Sequence, residues 1–159
     1  MIDGIPDWLP KSATTDLCML VLGVKPAVRL RIGTRRTEIR RWARRHGLFA
    51  SSDQDGYVVL SRSAMTARRT LDLDRRPGRH TVALGVMLGY PSCCSRAAAR
   101  VGDEGIDALH ARAARRPYRG RFALISPERY LDGGALLSHV PCSNVCRASL
   151  ALAAQHIRC

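Results

Sequence analysis

Ala27-Val28-Arg29-Leu30-Arg31-Ile32 alternates apolar with basic residues, and that alternation decides how the first half of the chain is read. A period of two places Val28, Leu30 and Ile32 on one side of a half-exposed strand, with Arg29 and Arg31 on the other. Beyond it Ile39, Trp42, Ala43 and His46 recur at helical spacing, while Arg36, Arg40, Arg41, Arg44 and Arg45 fill the rest of the wheel. Gly47 supplies the stop. Ser51-Ser52-Asp53-Gln54-Asp55-Gly56 reads as a turn, and Tyr57 to Leu60 as a second strand. Residues 27–61 are therefore expected to form a small β-α-β layer. Upstream, Leu17 to Val24 reads as a short apolar helix.

Downstream, Arg75-Arg76-Pro77-Gly78-Arg79 separates this layer from a mostly helical half, residues 79–159. His80 to Leu88 is expected to be a buried helix closed by Gly89, and Pro91 to Val101 a second helix. Ile106, Leu109, His110 and Ala113 mark a third, stopped by Pro117. Phe122 to Ile125 and Ala135 to Val140 read as strands or extended segments, and Asn144 to Ile157 as the last helix. At 159 residues the chain is long enough for one domain with its own core and short for two. The expected class is α+β, a single domain over residues 1–159 and richer in helix than in strand.

A hydrophobic content of 46% excludes wholesale disorder, and no apolar run approaches the length that crosses a bilayer. Met1 to Pro10 has neither the basic start nor the apolar stretch of a secretory signal, so the expected location is the cytoplasm, with no membrane partner. In that compartment six cysteines stay reduced, which favours metal or thiol chemistry over disulfides.

The formal charge of +13 admits a nucleic-acid partner, because clustered cations release counterions from phosphates. Three features count against it. Only Lys11 and Lys25 among the 26 basic residues are lysine, a bias that a GC-rich genome produces, and the arginines run from Arg29 to Arg158 without forming one stripe. Aromatic content is 5%, which leaves few platforms for stacking bases.

Two segments carry chemistry: Gly89-Tyr90-Pro91-Ser92-Cys93-Cys94 and His139-Val140-Pro141-Cys142-Ser143-Asn144-Val145-Cys146. Each follows an apolar element, passes through a proline and enters an expected helix, where proline is favoured in the first turn. The unpaired N–H groups and positive dipole end at a helix start lower a thiol pKa and can hydrogen-bond sulfur. Cys142 and Cys146, four apart, would also share a helical face. Cys93, Cys142 and Cys146 are therefore expected to be metal ligands. Cys94 is a fourth ligand or a core residue, since it opens an apolar stripe with Ala97, Ala98 and Val101. Cys18 reads as core, and Cys159 as a mobile terminal residue. His139, three residues before Cys142, is a candidate ligand, a candidate acid/base beside the centre, or a packing residue. His46, His80, His110 and His156 read as structural.

Structural zinc sites use paired C-x2–4-C or C/H knuckles, which Cys142 and Cys146 fit loosely. Adjacent cysteines in one helical turn point about 100° apart, which makes one zinc awkward for Cys93 and Cys94. An iron–sulfur cluster accepts ligands from wider directions, and three clear ligands with a doubtful fourth suit a [4Fe–4S] cluster with one open iron. The cofactor expected on these grounds is such a cluster, with zinc as the alternative.

The motifs Leu88-Gly89-Tyr90-Pro91-Ser92-Cys93-Cys94 and His139-Val140-Pro141-Cys142-Ser143-Asn144-Val145-Cys146 resemble a family of uncharacterised prokaryotic proteins. Its members share L-G-Y-P-x-C-C and H-x-P-C-S-x-x-C segments, and the likeness extends back to Leu22-Gly23-Val24-Lys25-Pro26. The resemblance implies that both motifs belong to one site, and it implies no reaction. A vicinal pair followed by a C-terminal C-x-x-C is also similar to ferric-siderophore reductases, which carry a [2Fe–2S] centre; the three-residue gap here departs from that pattern.

The function expected from sequence is an iron–sulfur protein acting on a small-molecule substrate, or passing electrons or sulfur to a partner protein. The alternative is a zinc-stapled module whose helix from Arg35 to Arg45 contacts RNA or DNA. No G-x-G-x-x-G, P-loop, H-E-x-x-H or G-x-S-x-G pattern occurs, so nucleotide-cofactor, zinc-protease and hydrolase classes lack support.

Overall fold

The computed structural model describes residues 4–9, 11–76, 78, 80–128 and 136–157. Helix α1 (Lys11–Val21) leads into strand β1 (Ala27–Arg31), followed by α2 (Arg36–Arg45), β2 (Phe49–Ser52), β3 (Tyr57–Ser61) and α3 (Ala64–Asp74). The strands form one antiparallel sheet in the order β1-β3-β2, with Arg29 opposite Val59 and Ser51 opposite Val59 from the other side. The alternation in β1 sends Val28 and Leu30 into a core with Leu17 and Leu20 of α1 and Ile39, Trp42 and Ala43 of α2. On the opposite face Ala27 and Val59 meet Ala67 and Leu71 of α3. The central strand β3 is covered on both sides, which is why Val58, Val59 and Leu60 form an unbroken apolar run.

Two elements of this layer escape the sequence reading. Strand β2, Phe49-Ala50-Ser51-Ser52, has no β-branched residue and two serines, so it resembles the turn it feeds. Its pairing with β3 makes the layer a three-stranded sheet. Helix α3 buries only Ala67, Thr70 and Leu71, too narrow a stripe to stand out, although Ser63 caps it by accepting from the Thr66 N–H at 3.3 Å. Gly47 does end α2, in the left-handed region at φ +66°.

The second half contains α4 (Thr81–Met87), α5 (Ser92–Val101), α6 (Ile106–Ala114) and α7 (Arg147–Ile157), with 3-10 turns at Asp103–Gly105 and Gly120–Ile125. Helix α4 is a surface helix and not the buried one expected, with Val82 and Val86 exposed. It crosses α5 closely at Gly85, where an added Cβ would collide with the Ser95 hydroxyl. Phe122 to Ile125 is 3-10 helix and not strand, and it packs on α7. Residues 136–140 are irregular, and Ala135 lies outside the described residues. A second core gathers Cys94, Ile125, Leu137, Cys146 and Ala153, with Tyr118, Phe122 and Leu150 packed around it. Sulfur sits at the middle of that core.

A buried lysine ties the two halves through a hydrogen bond to Ser138. Lys25, in the link between α1 and β1, is 3% exposed and donates to Asp16 at 2.7 Å and to the Ser138 hydroxyl at 2.8 Å. No helix among the described residues is long and apolar enough to cross a membrane.

Candidate metal centre

Pro91 precedes α5 with extended backbone, and its carbonyl accepts from the N–H groups of Cys94 and Ser95 at 2.9 and 3.0 Å. Proline here closes the helix entry without wasting a donor, and it places Cys93 and Cys94 in the first turn. The second motif enters differently from the expected helix. Helix α7 begins at Arg147, so Cys142 lies in the preceding turn and Cys146 is the capping residue. The Cys146 carbonyl accepts the first helical bond from Leu150, at 3.0 Å, and its Sγ accepts from the Ser149 N–H at 3.5 Å. A sulfur thus takes the place of the usual Ser or Asp oxygen at this cap. The shared helical face expected for Cys142 and Cys146 does not exist; the turn brings them together instead.

The Sγ atoms of Cys93, Cys94, Cys142 and Cys146 all lie within 4.8 Å of one another. Three of the separations are 3.9 Å (Cys93–Cys94), 3.8 Å (Cys93–Cys146) and 3.7 Å (Cys94–Cys146). Cys94 and Cys146 are buried, whereas Cys93 and Cys142 are half-buried. These four sulfurs could hold a metal. Cys18 is half-buried and lies outside the group, and Cys159 lies outside the described residues.

The polar surroundings of the sulfurs are directional. Cys94 Sγ lies 3.3 Å from the Ser149 hydroxyl and accepts from the Cys142 N–H at 3.4 Å. His139 is linked to the sulfurs through Ser149: its Nε2 is 2.9 Å from the same Ser149 hydroxyl, and its ring is tilted against Tyr90 at 5.0 Å. Ser149 therefore joins His139 to Cys94 and, through its own N–H, to Cys146. The sequence reading missed Ser149; the signal for it is its place three residues after a capping residue, the position whose N–H a cap satisfies. Arg116 and Asn144 fasten the turn to the end of α6, donating to the carbonyls of Cys142 and Pro117 at 3.3 and 2.9 Å.

Burial pushes the Cys94 thiol well above its ordinary range, against the pull of the Ser149 and Cys142 hydrogen bonds. Burial and the neighbouring Cys146 and Cys93 sulfurs push Cys142 up to about 11. Burial also pushes Cys146 up, but the Ser149 hydroxyl and N–H and the Cys142 and Cys94 thiols outweigh it and bring Cys146 to about 7. Cys146 is thus the sulfur that these hydrogen bonds favour as a thiolate, with the Cys94 and Cys142 thiols as donors to it. A cation bound by these thiols would release their protons. Burial, then the Lys25 charge, lowers His139 to about 3, so its imidazole is neutral.

A cavity of about 200 Å³ reaches Cys94, lined by Leu84, Leu88, Tyr90, His139 and Val140. No family model, curated protein or solved structure matches the chain.

Proposed function

We propose that Cys93, Cys94, Cys142 and Cys146 together bind one tetrahedral metal ion, zinc, and that this ion staples α5 to the cap of α7. The observation that carries this reading is the sulfur spacing. Zn–S bonds of about 2.3 Å at tetrahedral angles set neighbouring sulfurs about 3.8 Å apart, which matches the 3.7–3.9 Å separations among Cys93, Cys94 and Cys146. The divergence argued from vicinal cysteines loses its force, because Cys93 and Cys94 sulfurs converge despite their adjacent backbones. Four thiolates close the coordination shell, which is the mark of a structural site. The core around them is small and sulfur-centred, so metal binding would supply part of its folding energy.

A second reading, the iron–sulfur centre of a redox, sulfur-transfer or small-molecule enzyme, draws support from the cavity beside Cys94, which gives a substrate room next to the sulfurs. In that reading neutral His139, acting through the Ser149 hydroxyl, is the candidate acid/base. A cluster interposes irons and sulfides between its ligands, so its cysteines would have to stand farther apart than they do here.

Anaerobic purification with metal and sulfide analysis separates the two. A colourless protein with one zinc per chain, whose cobalt-substituted form shows tetrathiolate charge-transfer bands, supports the single ion. A brown protein with stoichiometric iron and acid-labile sulfide overturns it in favour of the cluster.

A further inference from the structure

The exposed face of α2 carries a dense row of positive charge. Ile39, Trp42 and Ala43 are its buried residues, leaving Arg40, Arg41, Arg44 and Arg45 exposed. Arg36, Arg40 and Arg44 follow one another at i, i+4, as do Arg41 and Arg45, and like charges at that spacing repel. The acid of this helix, Glu38, faces Arg35 at 3.6 Å. Among the described residues no carboxylate pairs with Arg40, Arg41, Arg44 or Arg45.

The row is also held in place. Arg36 donates to the Gln54 carbonyl at 2.8 Å and Arg40 to the Ser52 hydroxyl at 2.7 Å, so one guanidinium is fixed on the turn after the edge strand β2 and the other on the end of that strand. At the start of that strand stands Phe49, 51% exposed, in a groove of about 380 Å³ that it shares with Arg40, Arg44, Leu48 and Ala50. A solvated basic face explains the arginines alone, whereas the exposed ring beside Arg40 and Arg44 adds an aromatic face to the same groove.

We propose that α2 and Phe49 form a binding surface for single-stranded nucleic acid. Guanidiniums are suited to phosphates by their forked donors, and an exposed ring beside them offers a face on which an unpaired base stacks. The partner is single-stranded because a base inside a duplex has no free face to give Phe49. The arginine rows bind phosphates along the helix, whose 10 residues span about 15 Å. None of these residues belongs to the cysteine group, so the surface stands or falls independently of the metal reading.

The test is fluorescence anisotropy of the full-length, metal-containing protein with a mixed-sequence single-stranded RNA of about 16 nucleotides, the same sequence as DNA, and its annealed duplex. At about 50 mM salt the single strands should bind, with affinity falling steeply as salt rises. The double substitution Arg40→Ala, Arg44→Ala should flatten the slope of log affinity against log salt by about 0.7 for each phosphate no longer neutralised. Phe49→Ala, which removes an exposed ring and leaves the core untouched, should weaken single-strand binding about 5- to 100-fold with the salt slope unchanged. Absence of single-strand binding at low salt overturns the proposal. So does a Phe49→Ala protein that binds as tightly as the parent, a duplex bound as well as the single strand, or binding to phosphatidylserine vesicles without binding to the oligonucleotides. Circular dichroism of each variant establishes that it is folded.

Discussion

Cys93 and Cys146 stand 53 positions apart in the chain, and their sulfurs lie 3.8 Å apart. One comes from the first turn of α5 and the other caps α7, so any ion they share ties two helix starts that α6 separates in the chain. Chelation of the bound metal should therefore raise amide hydrogen exchange across α5 and α7 together, while the amides of β3 keep their protection. Exchange mass spectrometry with and without chelator checks this. Loosening confined to residues 142–146 would mean that the ion serves one loop only.

Ser149→Ala tests the shell around the sulfurs. Ser149 is fully buried and approaches Cys94 and His139 through its hydroxyl. Its loss leaves the His139 Nε2 and one sulfur lone pair without a partner, so metal affinity should fall about 10- to 100-fold in competition with a chromophoric chelator. The Ser149 N–H to Cys146 bond survives the substitution, so α7 should keep its helicity by circular dichroism. Unchanged affinity would mean that the hydroxyl only fills space.

Cys94→Ala distinguishes the two roles the sequence leaves open for that residue. As a ligand, its removal should leave a three-sulfur site that loses the ion to a moderate chelator and changes the cobalt spectrum. As a core residue, it should cost about 1 kcal/mol of stability and leave the spectrum intact.

Much of this architecture was legible, and the failures have physical causes. Helix α2 and strand β1 could be read because a single apolar face dominates each. Strand β2 could not, because its strand character comes from pairing with β3 and not from its residues. The start of α7 was misplaced because capping rules look for oxygen side chains, and here a cysteine sulfur caps. The meeting of the two motifs was readable from their matching proline-before-cysteine entries. The convergence of Cys93 and Cys94 was not, because adjacent backbone positions on a helix diverge and only side-chain torsions bring the sulfurs within 3.9 Å.

Lys25→Met leaves Asp16 buried without its cation, and Ser138 without its donor. Taking both charges out of water is costly, but stranding one of them costs more, about 3–5 kcal/mol. The double replacement Lys25→Met, Asp16→Leu should recover most of that loss, as urea denaturation would show. A single variant as stable as the parent would mean that water reaches the pair.

Acid should weaken the fold through histidine. His156, in the last turn of α7, is 6% exposed, and neither ring nitrogen has a hydrogen-bond partner among the described residues. Burial, then the Lys25 charge, lowers it from 6.5 to about 4, and His139 falls to about 3 for the same reasons. A folded pKa below the unfolded one means that the unfolded chain binds the extra protons. The stability these neutral rings allow is therefore complete above about pH 6.5 and is lost as the pH falls toward 4 and 3. Near pH 5 the two groups together should give a slope approaching two protons, about 2.7 kcal/mol per pH unit. His156→Leu removes two unpaired buried nitrogens, so it should be neutral or mildly stabilising at pH 7.5. Its slope near pH 5 should fall by about one proton, about 1.4 kcal/mol per pH unit. Denaturant melts of the two metal-containing proteins between pH 7.5 and 5 check this, because the proton dependence of the cysteine group is common to both and cancels in the difference. Equal slopes would mean that His156 is protonated in the folded chain and has found a partner that the static structure does not give it.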